Sequence, residues 1–397
     1  MNTGWPLRPL ANCGRLLSGG TPSKAESSYW GGSIPWFSSK EVKSFDLREA
    51  ELHVTEAGAA NGSHLIPPGT VLFVVRGMSL ANEFRVGVTA VPATFNQDVK
   101  AMVPAEDIDS RYLARCLRWL EPNVLSMTEE SSHGTKRLPG HVFEQLPIPM
   151  PPLAEQRRLA GILDRADAVR RKRKEAIGLT VELLRSTFLE MFGDPVTNPK
   201  GWPVSTFGAE LADMEYGPRF YNEKYSDEGV RIVRITDLNA SGALDFDSMP
   251  RLSMSEADRA RYTLKPGEII FARTGATVGK TALIEEGAPE CVAGAYFIRL
   301  KLNRRVLPRY ARMVLASDRV QALIARRSRQ SAQQNFSGPG IRELGLPVPP
   351  LPLQHQLVAV VTRCARMESS QRDHAKGAND LFEALMQSAF RGELRAA

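Results

Sequence analysis

The chain has 397 residues, 43% of them hydrophobic and 24% charged, the make-up of a globular protein long enough for two or more domains. Its formal net charge is +7 and its pI near 9.3, a balance that suits a polyanionic partner without establishing one. Cys13, Cys116, Cys291 and Cys364 form no CxxC pair and the six histidines no HxxxH spacing, which argues against a disulfide framework or zinc site and for a reducing compartment.

The N-terminal stretch MNTGWPLRPL lacks the apolar region of a signal peptide, and the apolar runs are too short to span a bilayer. The expected location is the cytoplasm, away from membranes. Gly4-Trp5-Pro6-Leu7 opens a mixed region whose short β-rich runs include Thr70 to Val75, placed just after the turn Ile66-Pro67-Pro68-Gly69. A hinge, Leu146-Pro147-Ile148-Pro149-Met150-Pro151-Pro152-Leu153, closes that region. Proline there stops the preceding structure and suits the first turn of a following helix. The helix is read from the seam Leu159, Ile162, Ala166, Val169 and then Ile177, Val181, Leu184, Phe188, in steps of three and four.

The same order then repeats. Gly201-Trp202-Pro203-Val204 lies 197 residues after the first such motif. Leu264-Lys265-Pro266-Gly267, Phe271 (matching Phe73), the hinge Leu344 to Leu351 and Gln354 (matching Gln156) all lie 198 residues after theirs. The second strand is Glu268 to Ala272, and the second seam runs through Leu357, Val361, Cys364, Phe382 and Leu385. Four collinear matches at one offset predict an internal two-fold pseudo-repeat. The expected fold is α+β: two mixed domains, 1–150 and 194–348, each followed by a long helix, 151–193 and 349–397, with the helices pairing as an antiparallel coiled coil. Each helix is about 60 Å long at 1.5 Å per residue, more than one B-DNA turn of roughly 34–36 Å. Two readers so held would meet two half-sites across an unread gap. Because the copies diverge between their shared turns, the target would be asymmetric.

A mixed domain, then P-x-P-P-L-x-x-Q, then a long helix, all present twice, resembles the specificity (S) subunit of type I restriction–modification systems. The connector Met191-Phe192-Gly193-Asp194-Pro195 through Asn198-Pro199-Lys200-Gly201-Trp202-Pro203 is similar to that family's junction between first helix and second domain. Ile34-Pro35-Trp36 to Val42 and Arg231 to Leu238 resemble its early strand, and Arg273-Thr274-Gly275-Ala276-Thr277-Val278-Gly279-Lys280 a recurring loop of its recognition domains. Two departures stand out. Leu353 replaces the glutamate that precedes the hinge glutamine in the first copy, and Arg76-Gly77-Met78-Ser79-Leu80 stands where the second copy has Arg-Thr-Gly. The resemblance implies a noncatalytic, sequence-specific subunit that binds double-stranded DNA and scaffolds two modification (adenine methyltransferase) subunits and a restriction–translocase subunit. S-adenosylmethionine, ATP and Mg would then belong to those partners, with no cofactor or metal in this chain.

Enzyme motifs are incomplete. Gly275 and Gly279 enclose three residues where a phosphate-binding P-loop needs four, and Ala282 to Ile284 continues as a strand where that motif needs a helix. The Pro-Pro pairs follow Ile66, Met150 and Val348, never the acid or amide of an adenine-methyltransferase pocket. Glu41-Val42-Lys43 has no upstream aspartate to begin a nuclease site. No Gly-x-Ser-x-Gly elbow is present.

Base edges are read by arginine and by side-chain amides, and phosphate is held by lysine and backbone amides. On that chemistry the DNA-binding candidates are Ser38, Lys40, Arg76, Arg85, Thr135, Lys136 and Arg137 in the first domain. In the second they are Arg219, Arg234, Arg273, Lys280, Arg327, Arg329, Gln333, Gln334 and Asn335. The donor-rich segments just before each hinge are the foremost of these. The run Arg170 to Lys174 inside the first helix is equally compatible with phosphate or partner contact and with a solvated face. Three other functions stay open at this point: the recognition subunit of a methylation-only system, a coiled-coil assembly scaffold without DNA recognition, and an enzyme that these motifs do not reveal.

Overall fold

The computed structural model describes residues 4–131, 134–218, 224–239, 242–328 and 334–394. It divides into two compact units, Met1–Glu175 with Arg372–Ala397, and Ala176–Gln371. The division runs through both long helices, Leu153–Phe192 and Leu351–Phe390. Each unit therefore holds one mixed domain, the beginning of one long helix and the end of the other.

The first unit is built on a five-stranded sheet in the order Gly14–Ser18, Val99–Pro104, Val71–Val74, Val86–Thr89, Asp46–Leu47. The central strand, Val71–Val74, is buried along its whole length, as a continuous β-branched and aromatic run requires. A second sheet pairs Trp30–Phe37 antiparallel with Leu52–Val54 and parallel with Thr94–Phe95. The second unit repeats both sheets. One has the order Leu211–Tyr216, Phe297–Leu302, Ile269–Ala272, Thr281–Leu283. The other sets Val230–Val233 against Arg251–Leu252, antiparallel, and Cys291–Ala293, parallel. In both units the opening strand is tied to the hinge: Leu7–Pro9 pairs with Pro147–Pro149, and Val204–Thr206 with Gly345–Pro347.

The hinges are locked by one fully buried glutamine each. In the first unit Gln156 Oε1 accepts from the Asp109 amide at 2.9 Å. Its Nε2 donates to the carbonyls of Asp107 at 3.1 Å and Pro151 at 2.9 Å. In the second, Gln354 Oε1 accepts from the Leu307 amide at 2.8 Å, and its Nε2 donates to Arg305 O at 3.2 Å and Pro349 O at 2.8 Å. Tyr112 and Tyr310 add the same bond to Pro149 O and Pro347 O, each 2.8 Å. Both glutamines are 0% exposed, and their bonds to Pro151 O and Pro349 O are buried, where an unpaired carbonyl would be costly.

The ends of the long helices are held by aromatic packing. Phe390 lies 5.4 Å from the Tyr112 ring and stacks on Trp119 at 5.3 Å, while Phe192 lies 4.9 Å from Tyr310. In the first unit Leu159 and Leu163 share a core with Phe382, Met386 and Ala389. In the second, Phe188 and Phe192 share a core with Leu357. The beginning of one helix thus packs on the end of the other in each unit, an antiparallel pairing. Cys364 and Phe382 are buried, and Ile162, Ala166, Ile177, Leu184, Val361 and Leu385 are partly buried.

Val169 and Val181, by contrast, are 50% and 47% exposed. On the first helix the buried positions are Leu163, Asp167 and Thr180 instead. Thr180 Oγ1 donates to Gln371 Oε1 at 3.0 Å. The displaced phase has a local cause. Arg115, 0% exposed, reaches from helix Ser110–Trp119 to Asp164 at 2.9 Å and Asp167 at 3.0 Å. Its guanidinium lies 3.7 Å from the Phe45 ring centre and 5.4 Å from that of Phe382. Arg111 bridges Asp46 and Asp164, and Arg170 pairs with Asp167 at 2.7 Å. The second unit has Met313, Thr362 and Ala365 at the equivalent of Arg115, Asp164 and Asp167, so the charged residues of this cluster are not repeated there.

All four cysteines are buried and free, and burial pushes the Cys13 and Cys291 thiols up to about 11. No helix among the described residues is long and apolar enough to cross a membrane.

Two predictions follow from these contacts. Gln156→Ala strands the buried Pro151 carbonyl, worth roughly 1–3 kcal/mol unpaired, and removes the bonds to the part-buried Asp107 carbonyl and Asp109 amide. Hydrogen exchange is expected to speed up around the first hinge and leave the second unit unchanged, and Gln354→Ala to do the reverse. The second concerns acid. Burial alone would raise the Asp167 carboxyl, but Arg115 and Arg170 hold it below the usual range. A depressed carboxylate stabilises the fold above its unfolded value, about 3.9, and that contribution is lost as pH falls through the lower folded value. Protection of helix Ser110–Trp119 is therefore expected to fall selectively below about pH 4. Arg115→Met, which leaves Asp167 buried without its main partner, is expected to cost about 3–5 kcal/mol at neutral pH, read as a lowered thermal midpoint.

Candidate nucleic-acid interface

In the first unit the chain leaves the central strand at Val75 and enters Arg76–Gly77, which pairs with Lys136–Arg137; that strand pairs in turn with Glu129–Glu130. Leu138 N donates to Val75 O at 2.8 Å. The pre-hinge segment and the loop after the central strand are thus one surface. Gly134, at φ +70°, turns the hairpin, a conformation other residues adopt at a cost. The Ser38–Lys40 turn lies alongside: a methyl group on Gly77 would sit 3.6 Å from Ser39 Oγ.

The second unit makes the same junction. Thr274 bridges to Asn335, and Phe336 N donates to Arg273 O at 2.8 Å. These residues sit 198 positions after Arg76, Arg137, Leu138 and Val75. Gly275 N donates to Gln334 O at 3.1 Å, and the turn Gly275–Thr277 leads into strand Thr281–Leu283. A strand, where a P-loop needs a helix, makes this loop a connection between neighbouring strands and not a nucleotide cradle.

The structure sorts the candidate side chains by what already holds them. Ser38 donates to Glu41 at 3.0 Å. Arg85 pairs with Glu83 at 2.8 Å and reaches Ser39 O and Lys40 O, so it braces the turn that carries Lys40. Lys136 pairs with Glu130 at 3.3 Å and Arg137 with Glu129 at 3.0 Å. Thr135 O accepts from Ser131 N at 2.7 Å. Arg234 closes its fork on the buried Asp237 at 2.7 Å. Arg327 is 4.0 Å from Glu343. Among the described residues Lys40, Arg76, Arg273 and Lys280 have no carboxylate partner, and Gln334 is exposed. Arg219, Arg329 and Gln333, together with Ser132 and His133 of the first pre-hinge segment, lie outside the described residues.

Of the run Arg170 to Lys174, the first two arginines belong to the Asp167 cluster, with Arg171 3.5 Å from Asp167. Lys172, Arg173 and Lys174 are exposed. Sequence reasoning missed Tyr216 and Tyr296, which are 42% and 58% exposed beside Arg273. Arg273 N donates to Tyr296 O at 2.9 Å, and the Arg273 guanidinium lies 4.8 Å from the Tyr216 ring centre. Tyr216 ends the strand Leu211–Tyr216 and Tyr296 lies in the turn before Phe297–Leu302, so only the sheet order brings them to Arg273. Among the described residues no group of three or more histidine, cysteine, aspartate or glutamate side chains is placed to hold a metal ion.

Comparison with known proteins agrees with this organisation. The chain is 30% identical over 183 residues to the specificity subunit of the Escherichia coli type I restriction enzyme EcoR124I/EcoR124II, covering 46% of this chain and 45% of that one. It is 24% identical over 295 residues to the specificity subunit of the Methanocaldococcus jannaschii type I restriction enzyme MjaIX, covering 68% and 66%. The chain thus spans less than two thirds of the length of these two relatives. In fold it is similar to the crystal structure of a type I restriction–modification S subunit from M. genitalium, with a TM-score of 0.61, 14% identity and coverage of 98% of this chain and 96% of that one. The family model of the type I restriction modification DNA specificity domain matches twice, over residues 2–179 and 199–372, and the chain belongs to that family.

Proposed function

We propose that this chain is a noncatalytic DNA-recognition subunit of a type I restriction–modification complex, reading a bipartite, asymmetric target on double-stranded DNA. One observation carries the reading. The junction between the central strand and the pre-hinge segment recurs at one offset in both domains, with Arg76 facing Arg137 in the first and Thr274 facing Asn335 in the second. An identical frame carrying different side chains is what two readers of two different half-sites require. The match to a DNA specificity family over most of the chain supports the substrate.

Scaffolding is the second half of the reading. Two equivalent hinges offer two modification subunits equivalent seats, and a restriction–translocase subunit would complete the complex. S-adenosylmethionine, ATP and Mg would serve those partners. Lys280, half-buried in the loop after the central strand and without a carboxylate partner among the described residues, is assigned to phosphate, and Lys40 and Arg76 to the first half-site.

Sequencing the methylome of a host that carries this chain with its modification subunit, against a deletion of the chain, is expected to show a two-part asymmetric adenine-methylation motif that vanishes on deletion. An unchanged methylome with both subunits expressed would overturn the proposal and favour a scaffold without recognition. For the assembled complex, Lys280→Ala is expected to weaken binding to all duplexes alike. It should also flatten the slope of log affinity against log salt by about one.

A further inference from the structure

The second domain holds one arginine in a manner that no candidate in the first domain shares. Arg273 leaves the end of the central strand with its backbone fixed on both sides, through Tyr296 O and Phe336 N. Its guanidinium rests over the Tyr216 ring at 4.8 Å, and its Nε donates to Asn335 Oδ1 at 3.4 Å. Tyr216 is itself anchored, its hydroxyl accepting from Gly338 N at 3.0 Å. The brace is an aromatic face and a neutral amide, so among the described residues no carboxylate compensates the positive charge. Among the described residues the two terminal nitrogens have no partner. Arg234 shows the contrast, with its fork closed on Asp237.

We infer that Tyr216 and Asn335 set Arg273 to read a guanine in the half-site of the second domain. This rests on the DNA-recognition reading above. A fork with two free N–H groups matches guanine O6 and N7 in the major groove. Holding it over a ring (a cation–π contact) removes rotamer freedom that would otherwise be lost on binding. In the first domain the equivalent positions are Val75 for Arg273, Ser18 for Tyr216 and Arg137 for Asn335. Val75 is buried and Arg137 is paired with Glu129, so this guanine reader belongs to one half-site only. Arg273 is the contacting residue; Tyr216 and Asn335 are positioning residues.

The test uses the assembled complex of this chain with its modification subunits and the target defined by its methylome. Guanines are replaced one at a time by 7-deazaguanine, which lacks the N7 acceptor, and affinity is measured by competition. The wild type is expected to lose about 5- to 150-fold at one guanine of one half-site, the range of a good bidentate pair. Arg273→Gln is expected to be insensitive to that replacement and to match the wild type at every other guanine of the target. Tyr216→Phe and Tyr216→Leu both lose the hydroxyl bond, so the difference between them reports the ring alone. Phe is expected to retain the sensitivity and Leu to lose most of it. If Arg273→Gln fails to assemble, the Tyr216 pair decides.

An Arg273→Gln complex as sensitive as wild type, a half-site without such a guanine, or identical behaviour of the two Tyr216 variants would overturn the inference. Failure of the underlying reading is a separate result, a methylome that does not depend on this chain at all.

Discussion

The fold depends on two buried side-chain amides. Gln156 and Gln354 each sit at the start of a long helix and satisfy three backbone groups from two other segments of the same unit. A helix that begins just after two prolines has free amides at its first turn and carbonyls of the hinge beside it. A glutamine placed there closes the hinge on the domain and fixes the direction in which the helix leaves. Tyr112 and Tyr310 extend the lock: each bonds the hinge through its hydroxyl and presents its ring to a phenylalanine of the other helix. Hinge geometry and helix pairing are thereby coupled within each unit.

On this shared frame the two units differ where it matters. The first secures its helix with a buried ionic cluster centred on Arg115, Asp164 and Asp167, sandwiched by Phe45 and Phe382. The second uses Met313 in an apolar core. Such clusters gain little net stability over apolar packing but are costly to break, which makes the first unit the more sensitive to pH and to single substitutions. At the junction after the central strand the divergence is of another kind. The first unit carries a hairpin whose cations are largely neutralised by their own glutamates. The second carries a half-buried arginine on a tyrosine platform.

Much of this was legible in the sequence because it is written in residues whose local chemistry is strict. Proline, glycine and a helix-leading glutamine recur at one offset, so the duplication, the hinges and the long helices could be placed from spacing. The pre-hinge segments were found from their donor-rich composition, and their junction with Arg76 and Thr274 follows the same offset. The helix seam was read astray at Val169 and Val181, by two positions and by one, because the buried residues on that side are Asp167 and Thr180. A hydrophobic pattern does not register a buried aspartate or threonine whose burial depends on a partner elsewhere. The roles of Arg85 and Arg234 were hidden for a related reason. An arginine read from sequence alone is a free cation, and only the fold brings Glu83 and Asp237 to it. Tyr216 and Tyr296 gave no signal, since an aromatic residue at a strand end or in a turn is common and sheet order alone sets them beside Arg273.

The central claim is that each mixed domain reads one half of the target independently of the other. Its most direct measurement is the methylome of a chain in which residues 14–150 are replaced by residues 211–348, so that the second reader occupies both positions. The account predicts a symmetric motif, with the half-site of the second domain present twice in inverted orientation. Retention of the original asymmetric motif by such an assembled complex would contradict it.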